Sequence, residues 1–543
     1  MKEIEEAMGT LWFGGPIYTM EREDVVVDAV FTEEHQIVAI GTYEYLYHTY
    51  FNQIDEAINL NGKTMLPGFV DSHLHIIWHG EKLLRLDLSQ MQSAEEVLEA
   101  LFNRATNLSE GEWLVGEGWN ENHWDEPLII HKTALDEIVP HNPVMLSRVC
   151  RHAILANSKA IELAGIDTVN KTANPKGGVI ERDDDEETTG YFLDTAQELI
   201  KQAMPTVSQA YLEQVISIAI DDLLSKGLVG GHSEDLNYFG GFDKTFGAFK
   251  HVLDGKEKIF KAHLLVHHEV MEDMIHAGLG YLKGPRYAEL GAVKIFSDGA
   301  LGGRTAWLST DYADDIGNRG FAIHSIPELE ELVARARVYQ LPVAVHAIGD
   351  QAVLEIASIL SKYPLATNAR DRIIHGQILN KQAFELLKEL PAVVDIQPTF
   401  VASDFPWVID RLGQKRLDLA YAWKSMLQHG IHCAGGSDAP IEKVDPLLGI
   451  QAAVIRKSSF DGKTYLPKEA LTIFEAVQLY TTGSAYVINQ ENSRGLITEG
   501  YHADFTILEK DIFQVNPNEI HEIDVAMTVI DGKIVYDKNL SSI

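Results

Sequence analysis

The sequence predicts an α/β fold: a (β/α)8 barrel of the TIM type, a small β-sandwich domain built from both chain ends, and a long insertion after the first barrel strand. Three observations predict it. Compact apolar runs that end in polar residues occur eight times, and helical stretches separate several of them. Short strand-like segments punctuated by turn residues occupy both chain ends. About 150 residues separate the first two runs, which is too many for a single crossover connection.

The two chain ends are expected to build the β-sandwich domain together, over residues 1–66 and 481–543. Segments such as GTLWFGGPIYTM near the start and DVAMTVIDGKIVYDKN near the end read as short strands separated by turns. Within the second segment, Asp531 and Gly532 form a dipeptide that is typical of a hairpin turn.

The barrel is predicted over residues 67–80 and 206–480. Segments with helical periodicity, such as LEELVARARVYQ, lie between several of its apolar runs. In a TIM barrel the functional groups lie at the carboxyl ends of the strands, so the polar residues that end these runs are the candidates for chemistry. The eight runs are residues 65–76, 227–235, 259–270, 291–300, 341–350, 372–379, 392–400 and 431–440.

The insertion is predicted over residues 81–205. Because a long loop after a barrel strand rises over the catalytic end, we expect a folded subdomain over the active site. Its aromatic stretch WLVGEGWNENHWDEP contains Trp119 and His123, which are candidates for the wall of a substrate pocket. Aromatic residues at this density are also typical of a subdomain core.

Charge and cysteine content limit the partners and the compartment. Lys and Arg number 45 against 80 Asp and Glu, a net charge of −35, which disfavours nucleic acid and anionic membranes as partners. The two cysteines, Cys150 and Cys433, give no disulfide framework, and the acidic N-terminal segment does not resemble a signal peptide. We therefore expect a cytoplasmic protein that acts on a small molecule, and we leave open whether it forms a homo-oligomer.

His73 and His75 form the strongest short motif. Residues two apart on a strand point to the same face, so both imidazoles can reach one metal ion at the end of the first barrel strand. Taken alone, the motif is equally consistent with two structural histidines.

His346, His375 and Asp438 lie in runs five, six and eight of the predicted barrel. Imidazole nitrogens with a carboxylate oxygen are a donor set suited to zinc or a similar divalent ion. Each residue has a structural explanation on its own, such as a helix N-cap for Asp438. Their joint placement with the His-x-His motif predicts a metal site.

Lys294 lies inside the fourth apolar run, where a charged ammonium group is costly without a partner. Burial can depress the pKa of a lysine until its neutral amine takes up carbon dioxide, and the resulting carbamate offers two oxygen donors that can bridge two metals. The alternative is an ion pair with a neighbouring acid such as Asp298.

Several segments make the chain resemble the amidohydrolase superfamily, and within it the YtcJ-like metal-dependent hydrolases that include N-substituted formamide deformylase and the exoenzyme regulatory proteins. The segments are LPGFVDSHLHI, VKIFSDGALGGRTA, VAVHAIGD, RIIHGQ, GGSDAP and GLITEGYHADFTIL. The resemblance covers nearly the whole chain. It implies one or two divalent ions, with Asp438 as both ligand and general base. The other implied ligands are His73 and His75 for one ion, a carboxylated Lys294 as the bridge, and His346 and His375 for the second.

Other residues are candidates for contacts with the substrate or with the ligands. Asp298 and Arg304 flank the Gly-rich loop SDGALGGRTA, where an arginine could orient a substrate carbonyl or carboxylate or could pair with an acid. His232 and Asp350 are candidates for orienting metal ligands.

The predicted function is hydrolysis of a non-peptide carbon–nitrogen bond in a small amide, formamide or carbamate by metal-activated water. One alternative is a deaminase with a single metal acting on an amino-substituted heterocycle, which would favour a further acid after the fifth strand, where this chain has Asp350. A metal-dependent esterase or lactonase and a non-catalytic regulatory homologue are further alternatives. The regulatory homologue would be expected to lack ligands that this chain retains.

Overall fold

The structure is a computed structural model that describes residues 9–124, 126–149, 152–166, 172–205 and 207–540. The chain divides into two compact units, one of residues 1–79 and 212–543 and the other of residues 80–211. Among the described residues, no helix combines the length and apolar character that crossing a membrane requires.

The strands fall into groups along the chain. The first group is β1 (Gly9–Tyr18), β2 (Val26–Glu33), β3 (Gln36–Gly41), β4 (Glu56–Asn59), β5 (Thr64–Pro67) and β6 (Phe69–Leu74). The second group belongs to the unit of residues 80–211 and is β7 (Leu86–Asp87), β8 (Leu114–Trp119), β9 (Val144–Arg148), β10 (Ala153–Ala156), β11 (Gly178–Arg182) and β12 (Thr188–Asp194). The third group is β13 (Leu228–Glu234), β14 (Lys261–His267), β15 (Ala288–Phe296), β16 (Val343–Ala347), β17 (Asp371–His375), β18 (Ala392–Ile396) and β19 (His432–Gly435). The last group is β20 (Phe505–Leu508), β21 (Val525–Ile530) and β22 (Lys533–Asp537).

The helices are given in the same order. Up to the start of the third group of strands they are α1 (Tyr43–Tyr50), α2 (Ile76–Leu84), α3 (Ala94–Ala105), α4 (Lys132–Ile138), α5 (Ser158–Leu163), α6 (Gln197–Lys201) and α7 (Gln209–Ser225). Beyond it they are α8 (Phe242–Val252), α9 (Met271–His276), α10 (Ile326–Val338), α11 (Asp350–Lys362), α12 (Lys381–Glu389), α13 (Phe400–Asp404), α14 (Trp407–Leu412), α15 (Trp423–Gln428), α16 (Pro446–Ile455), α17 (Ile473–Tyr480) and α18 (Thr482–Val487).

Eight strands form one parallel sheet in the order β19-β18-β17-β16-β15-β14-β13-β6, so that spatial order follows chain order. Every residue of β13, β14, β17 and β18 is buried, as expected for parallel strands covered on both faces. Each of the eight apolar runs contains one of these strands, although β15 and β17 begin slightly before their runs. The prediction of a TIM-type barrel is therefore confirmed.

The barrel closes between β6 and the chain that follows β19. The Asp438 N–H donates to the His73 carbonyl at 2.7 Å, and the His75 N–H donates to the Ala439 carbonyl at 2.8 Å. These two backbone bonds join the first strand to the segment after the last, and they fix the relative positions of His73, His75 and Asp438.

The carboxylate of Asp71 reinforces this closure. It accepts the His73 N–H at 3.0 Å and the Ser437 N–H at 3.1 Å. Burial raises the pKa of Asp71 to about 7. Gly436 permits the close approach, because a Cβ at this position would lie 2.6 Å from the His73 nitrogen.

Strands from both chain ends combine in one mixed sheet with the order β22-β21-β20-β5-β1-β2-β3, and β4 pairs with β1. Antiparallel pairing of β20 with β5 joins the two ends directly. The core against this sheet includes Trp12, Met65, Ile507 and Val529. The predicted association of the chain ends is therefore observed, whereas the sandwich of two sheets stays a prediction.

The unit of residues 80–211 has its own six-stranded sheet, in the order β11-β12-β10-β9-β8-β7, and its own hydrophobic cores. Trp119 ends β8 and is 2% exposed. Its indole N–H donates to the Leu146 carbonyl at 3.4 Å, and its ring packs near Trp124 and Tyr191. Trp119 therefore packs in the core of this unit.

Local sequence signals set the start of two barrel helices. At α10 the Ser325 N–H donates to the Glu328 carboxylate at 2.7 Å, and at α17 the Thr472 N–H donates to the Glu475 carboxylate at 2.8 Å. Both are capping boxes, which satisfy N–H groups that the first helical turn leaves unpaired.

Replacing Gly436 with alanine is expected to weaken barrel closure. The added methyl group would overlap the His73 backbone, and overpacking of this kind typically costs about 1–3 kcal/mol. We expect a lower midpoint of urea denaturation than for the wild-type protein. The matched control is Gly280→Ala, where the nearest atom would lie 4.0 Å away. Equal midpoints for the two variants would contradict the role given to Gly436.

Candidate metal centre

His73, His75 and Asp438 form a buried cluster at the carboxyl end of the barrel. One ligand atom from each lies within 4.8 Å of the other two. Asp438 Oδ1 is 3.4 Å from His73 Nε2 and 3.3 Å from His75 Nε2. The structure thus brings together three of the side chains that the sequence singled out.

His346 and His375 form a second pair beside this cluster. His346 Nδ1 lies 3.1 Å from His375 Nε2, and the rings of His375 and His73 have centroids 5.9 Å apart. His346 lies near the end of β16 and His375 is the last residue of β17. The five predicted His and Asp ligands therefore share one site.

Lys294 points into the same site from β15. Its Nζ is 3.5 Å from His73 Nε2 and 4.5 Å from the centroid of the Phe296 ring. Burial lowers the pKa of Lys294, which favours the neutral amine. Among the residues that the structure describes, no carboxylate lies within 4.0 Å of this nitrogen, so the alternative ion pair with Asp298 is not formed.

The hydrogen bonds of His346 and His375 determine which ring nitrogens carry a proton. His346 Nε2 faces the Gly299 carbonyl at 3.1 Å, and His375 Nδ1 faces Gln397 Oε1 at 2.6 Å. Gln397 is oriented by its own amide N–H, which donates to the Asp395 carbonyl at 3.0 Å. His346 Nε2 and His375 Nδ1 must each carry the proton that is donated to these acceptors. The two nitrogens that face each other, His346 Nδ1 and His375 Nε2, are therefore unprotonated and present lone pairs.

The same reasoning applies to His75. Its Nδ1 donates to the Glu234 carbonyl at 2.7 Å, so its Nε2 presents a lone pair toward the Asp438 carboxylate. Lone pairs and a carboxylate that face one another repel unless a cation lies among them. The donor atoms of this site therefore fit a divalent metal ion.

The ionisation of the site agrees with metal binding. Burial lowers the pKa of His73 and of His346 well below the usual histidine range, and it lowers the pKa of His375 to about 4. Burial opposes ionisation of Asp438, but its neighbours His75, His375 and Lys294 lower its pKa overall. At His75 burial lowers the pKa, but the Asp438 carboxylate outweighs it and raises the pKa of this ring. Neutral imidazoles and an ionised carboxylate are the forms that bind metals.

His375 and Asp438 both have left-handed backbone conformations, with φ angles of 76° and 58°. Residues with a Cβ adopt this region at a cost of about 1–2 kcal/mol. Strained backbone of this kind concentrates at functional sites, where the surrounding structure holds the side chain in a required direction.

Asp298 and Arg304, which were predicted to bind substrate, have partners within the protein. The Asp298 carboxylate is 1% exposed and accepts backbone N–H groups of Trp307, Ile348 and Gly349. Burial raises its pKa to about 7. Arg304 donates two hydrogen bonds to Asp314, at 3.1 and 2.9 Å. Asp298 thus holds the loop after His346, and substrate binding by Arg304 stays a prediction.

The remaining candidates are not members of the cluster, or their side chains are outside the described residues. The side chain of His123 and all of Cys150 are outside the described residues. Substrate binding by Trp119 stays a prediction, given its burial in the core of its own unit. The carboxylate of Asp350 accepts its hydrogen bonds from Ser309 and Asn380 and not from one of the candidate metal ligands. His232 is buried beside His263, with ring centroids 5.0 Å apart.

Aromatic side chains flank the histidines of the site. Trp78 stacks on His75 with centroids 4.8 Å apart, and Tyr238 lies 4.9 Å beyond Trp78. Phe296 lies 5.4 Å from His346, and Phe400 stacks on His375 at 5.9 Å. None of these residues was predicted from the sequence.

The sequence analysis also missed three residues that position the ligands: Asp71, Glu234 and Gln397. A usable signal existed for two of them, because Glu234 lies one residue before the end of the second apolar run and Gln397 lies in the last part of the seventh, where functional groups of a barrel lie. Asp71 stands two residues before His73 within a strand, and nothing in its spacing distinguishes it from an ordinary buried residue.

The chain is similar to metal-dependent hydrolases over nearly its whole length. A family model described as "Amidohydrolase family" matches residues 56–536. YtcJ of Bacillus subtilis (strain 168), which is named as an amidohydrolase, is 48% identical over 98% of this chain and 100% of its own. N-substituted formamide deformylase of Arthrobacter pascens is 26% identical over 89% of this chain and 90% of its own.

Two crystal structures of uncharacterized metal-dependent hydrolases resemble the whole fold. The protein from Pyrococcus horikoshii has a TM-score of 0.77 and covers 94% of this chain and 99% of its own. The protein from Pyrococcus furiosus has a TM-score of 0.78 and covers 93% of this chain and 100% of its own. Both are 28% identical to this chain.

Replacing Gln397 with leucine is expected to weaken metal binding. The substitution removes the acceptor that holds the proton on His375 Nδ1, and changes to such outer partners typically lower metal affinity about 10–100-fold. Competition with a chelating dye measures the affinity. The matched control is Gln351→Leu, whose amide donates to Glu355 on the same helix. Unchanged affinity in the Gln397 variant would contradict the tautomer assignment.

Proposed function

This chain belongs to the amidohydrolase family, and on that premise we propose that it hydrolyses the carbon–nitrogen bond of a small amide, formamide or carbamate. The observation that carries the proposal is the convergence of five side chains from four barrel strands on one buried site. These are His73, His75, His346, His375 and Asp438.

The metal of the proposal is zinc, because imidazole nitrogens and a carboxylate oxygen are its common protein ligands. His73 and His75 hold one ion and His346 and His375 hold the second. A divalent ion at such a site supplies two things, a lowered pKa for water and polarisation of the scissile carbonyl.

Lys294 is proposed to be carboxylated and to supply oxygen donors to both ions. Its burial and the lack of a carboxylate within 4.0 Å in the described part of the chain favour the neutral amine. The amine nitrogen forms a bond to the carbon of carbon dioxide and releases one proton, which leaves a carbamate with two oxygens. This proposal accounts for a lysine among the histidines better than a structural role does.

Asp438 is proposed to move the proton. Its carboxylate accepts a proton from water as the water oxygen bonds to the carbonyl carbon, and it donates that proton to the nitrogen as the carbon–nitrogen bond breaks. The position of Oδ1 between His73 and His75, and the left-handed backbone at Asp438, support this role.

The aromatic residues beside the ligands support a substrate with an apolar substituent on nitrogen. Trp78, Phe296 and Phe400 offer ring surface next to His75, His346 and His375, and Tyr238 extends the surface beyond Trp78. The similarity to N-substituted formamide deformylase, at 26% identity, supports the same class of substrate.

Deamination of a heterocycle is less well supported. That reaction favours an acid after the fifth strand to protonate a ring nitrogen, and Asp350 stands there. Its carboxylate is occupied by the backbone and hydroxyl of Ser309 and by the amide of Asn380. The contacts of Asp350 are therefore structural.

Replacing Asp438 with asparagine is expected to lower kcat on an N-substituted formamide about 10²–10⁴-fold, the usual contribution of a general base or acid. Elemental analysis establishes that the variant retains its metal, since the amide oxygen can still bind. The matched control is Asp311→Asn, which removes a surface ion pair with Arg319. Full turnover by the Asp438 variant with metal bound would exclude the proposed role.

Replacing Lys294 with alanine is expected to reduce the metal content from two ions per chain to one. A mass spectrum of the wild-type protein under conditions that retain carbon dioxide is expected to show one added carbon dioxide. Lys362→Ala, which removes an exposed lysine paired with Glu330, serves as the control and is expected to keep both ions. Retention of two ions by the Lys294 variant would refute the bridging role.

A panel of substrates tests the reaction class. Formamides, amides and carbamates with apolar substituents are expected to turn over faster than matched esters and amino-substituted heterocycles. A single metal ion together with preferred turnover of heterocycles would replace hydrolysis with deamination.

A further inference from the structure

A small polar cavity lies where the barrel strands begin. We call it the base cavity, and it has a volume of about 30 Å³. Gly68, Val229 and Lys261 line it at or near the starts of β6, β13 and β14. Lys261 begins β14 and His267 ends it, a span of about 20 Å at roughly 3.3 Å per residue. The strand starts that line the base cavity are therefore at the opposite end of the barrel from the candidate metal centre, and His232, the fifth of the seven residues of β13, lies deeper in the barrel.

Two polar side chains in its wall lack partners. His232 is 1% exposed, and neither of its ring nitrogens makes a well-formed hydrogen bond in the described part of the chain; its weaker polar neighbour is the backbone of Ser72. The Nε of Arg494 is likewise buried without a partner among those residues. An imidazole carries at least one N–H, and the arginine Nε always does, so two donors of the wall lack acceptors.

The acidic residues near the base cavity are already paired. Lys261 Nζ contacts Asp504 at 2.6 Å and Asp531 at 2.7 Å, and Arg286 contacts Asp531 at 2.9 Å. The carboxylates of Asp504 and Asp531 are thus paired with the cationic side chains of Lys261 and Arg286. A metal ion is disfavoured beside Asp504 and Asp531, because the lysine ammonium already occupies their oxygens.

Arg494 is the charged residue of this wall that forms no direct salt bridge in the described part of the chain, although its charge is among those that lower the pKa of Glu289 against the effect of burial. Within the described residues no carboxylate lies within salt-bridge distance of it. Glu289, which is more distant, accepts hydrogen bonds from His263 at 3.1 Å and Gln490 at 3.0 Å. The unpaired guanidinium and the unused imidazole donor together favour an anionic guest.

We propose that the base cavity binds a small planar oxyanion, of the kind represented by formate, bicarbonate and nitrate. The volume corresponds to about two to three water-sized groups at roughly 10–15 Å³ each, which is close to the size of a small flat ion such as formate. Arg494 Nε and one nitrogen of His232 donate to its oxygens, and the ion completes the hydrogen bonds that both side chains lack.

The ion can enter without passing the candidate metal centre. Arg494, Gly495 and Leu496 form part of the cavity wall and are partly exposed at the surface. The proposal is independent of the proposed reaction, since none of these residues belongs to the metal site.

Two experiments on the metal-loaded full-length protein test the proposal. Crystals of the wild-type protein soaked in sodium nitrate or sodium formate are expected to show the anion within hydrogen-bond distance of Arg494 Nε and His232. Calorimetric titration with the same salts is expected to show a site whose Kd rises at least tenfold in Arg494→Gln. The matched control is Arg335→Gln, which removes a surface pair with Glu272 and is expected to bind like the wild type.

Water alone in the base cavity after both soaks would overturn the proposal. An unchanged Kd and number of sites in Arg494→Gln would overturn it as well. Anion binding at the metal centre is expected to contribute equally to the titrations of the wild type, Arg494→Gln and Arg335→Gln. A difference in Kd that is confined to Arg494→Gln therefore reports on the base cavity. If the Arg494 variant does not fold, the wild-type crystals decide the question.

Discussion

The hydrogen bonds of the Asp71 carboxylate hold the first barrel strand against the chain that follows the last one, and the candidate metal centre depends on that closure. His73 and His75 come from β6, whereas Asp438 follows β19. Their donor atoms can lie within 4.8 Å of one another only when the two strands meet. Asp71 bonds the backbone on both sides of the joint, at His73 and at Ser437. A buried carboxylate that accepts backbone N–H groups is a fixed support, because leaving those groups unpaired would be costly.

Acceptors around the histidines determine what the site can bind. The carbonyls of Glu234 and Gly299 and the amide oxygen of Gln397 each take a ring N–H and thereby turn the opposite nitrogen inward as a lone pair. The imidazoles are thus set as metal donors by hydrogen bonds that face away from the metal position. Burial adds to this by lowering the pKa of His73, His346 and His375, which favours their neutral rings, and it lowers the pKa of Lys294 in the same environment. For His346 and His375, position, tautomer and charge state all follow from the barrel that surrounds these side chains.

Much of the fold and most of the proposed ligands could be predicted from the sequence because they rest on local patterns. The apolar runs mark the barrel strands, and the ends of those runs mark His73, His346 and Asp438. The residues that were missed act through partners far away along the chain: Asp71 bonds Ser437 across 366 residues. The spacing of residues in one sequence does not indicate whether Arg304 contacts a substrate or Asp314. It also does not indicate whether Trp119 lines a pocket or packs in a core. Both depend on tertiary packing. For the chain ends the sequence indicated strands and their association, but not how those strands divide into sheets.

The pairing of β20 with β5 and of Ser437 with Asp71 has a consequence for synthesis on the ribosome. The strand β5 and the edge of β6 that closes the barrel leave the ribosome early, yet β20 and Ser437, which bond to them, lie more than three hundred residues later in the chain. The partner on the other edge of β6 is β13, which follows sooner. During translation the apolar faces of these strands are therefore without their native cover for most of the elongation time, whereas residues 80–211 can already fold as a compact unit. We expect the nascent chain to need holding by chaperones until its C-terminal residues emerge. An N-terminal fragment produced alone would aggregate for the same reason.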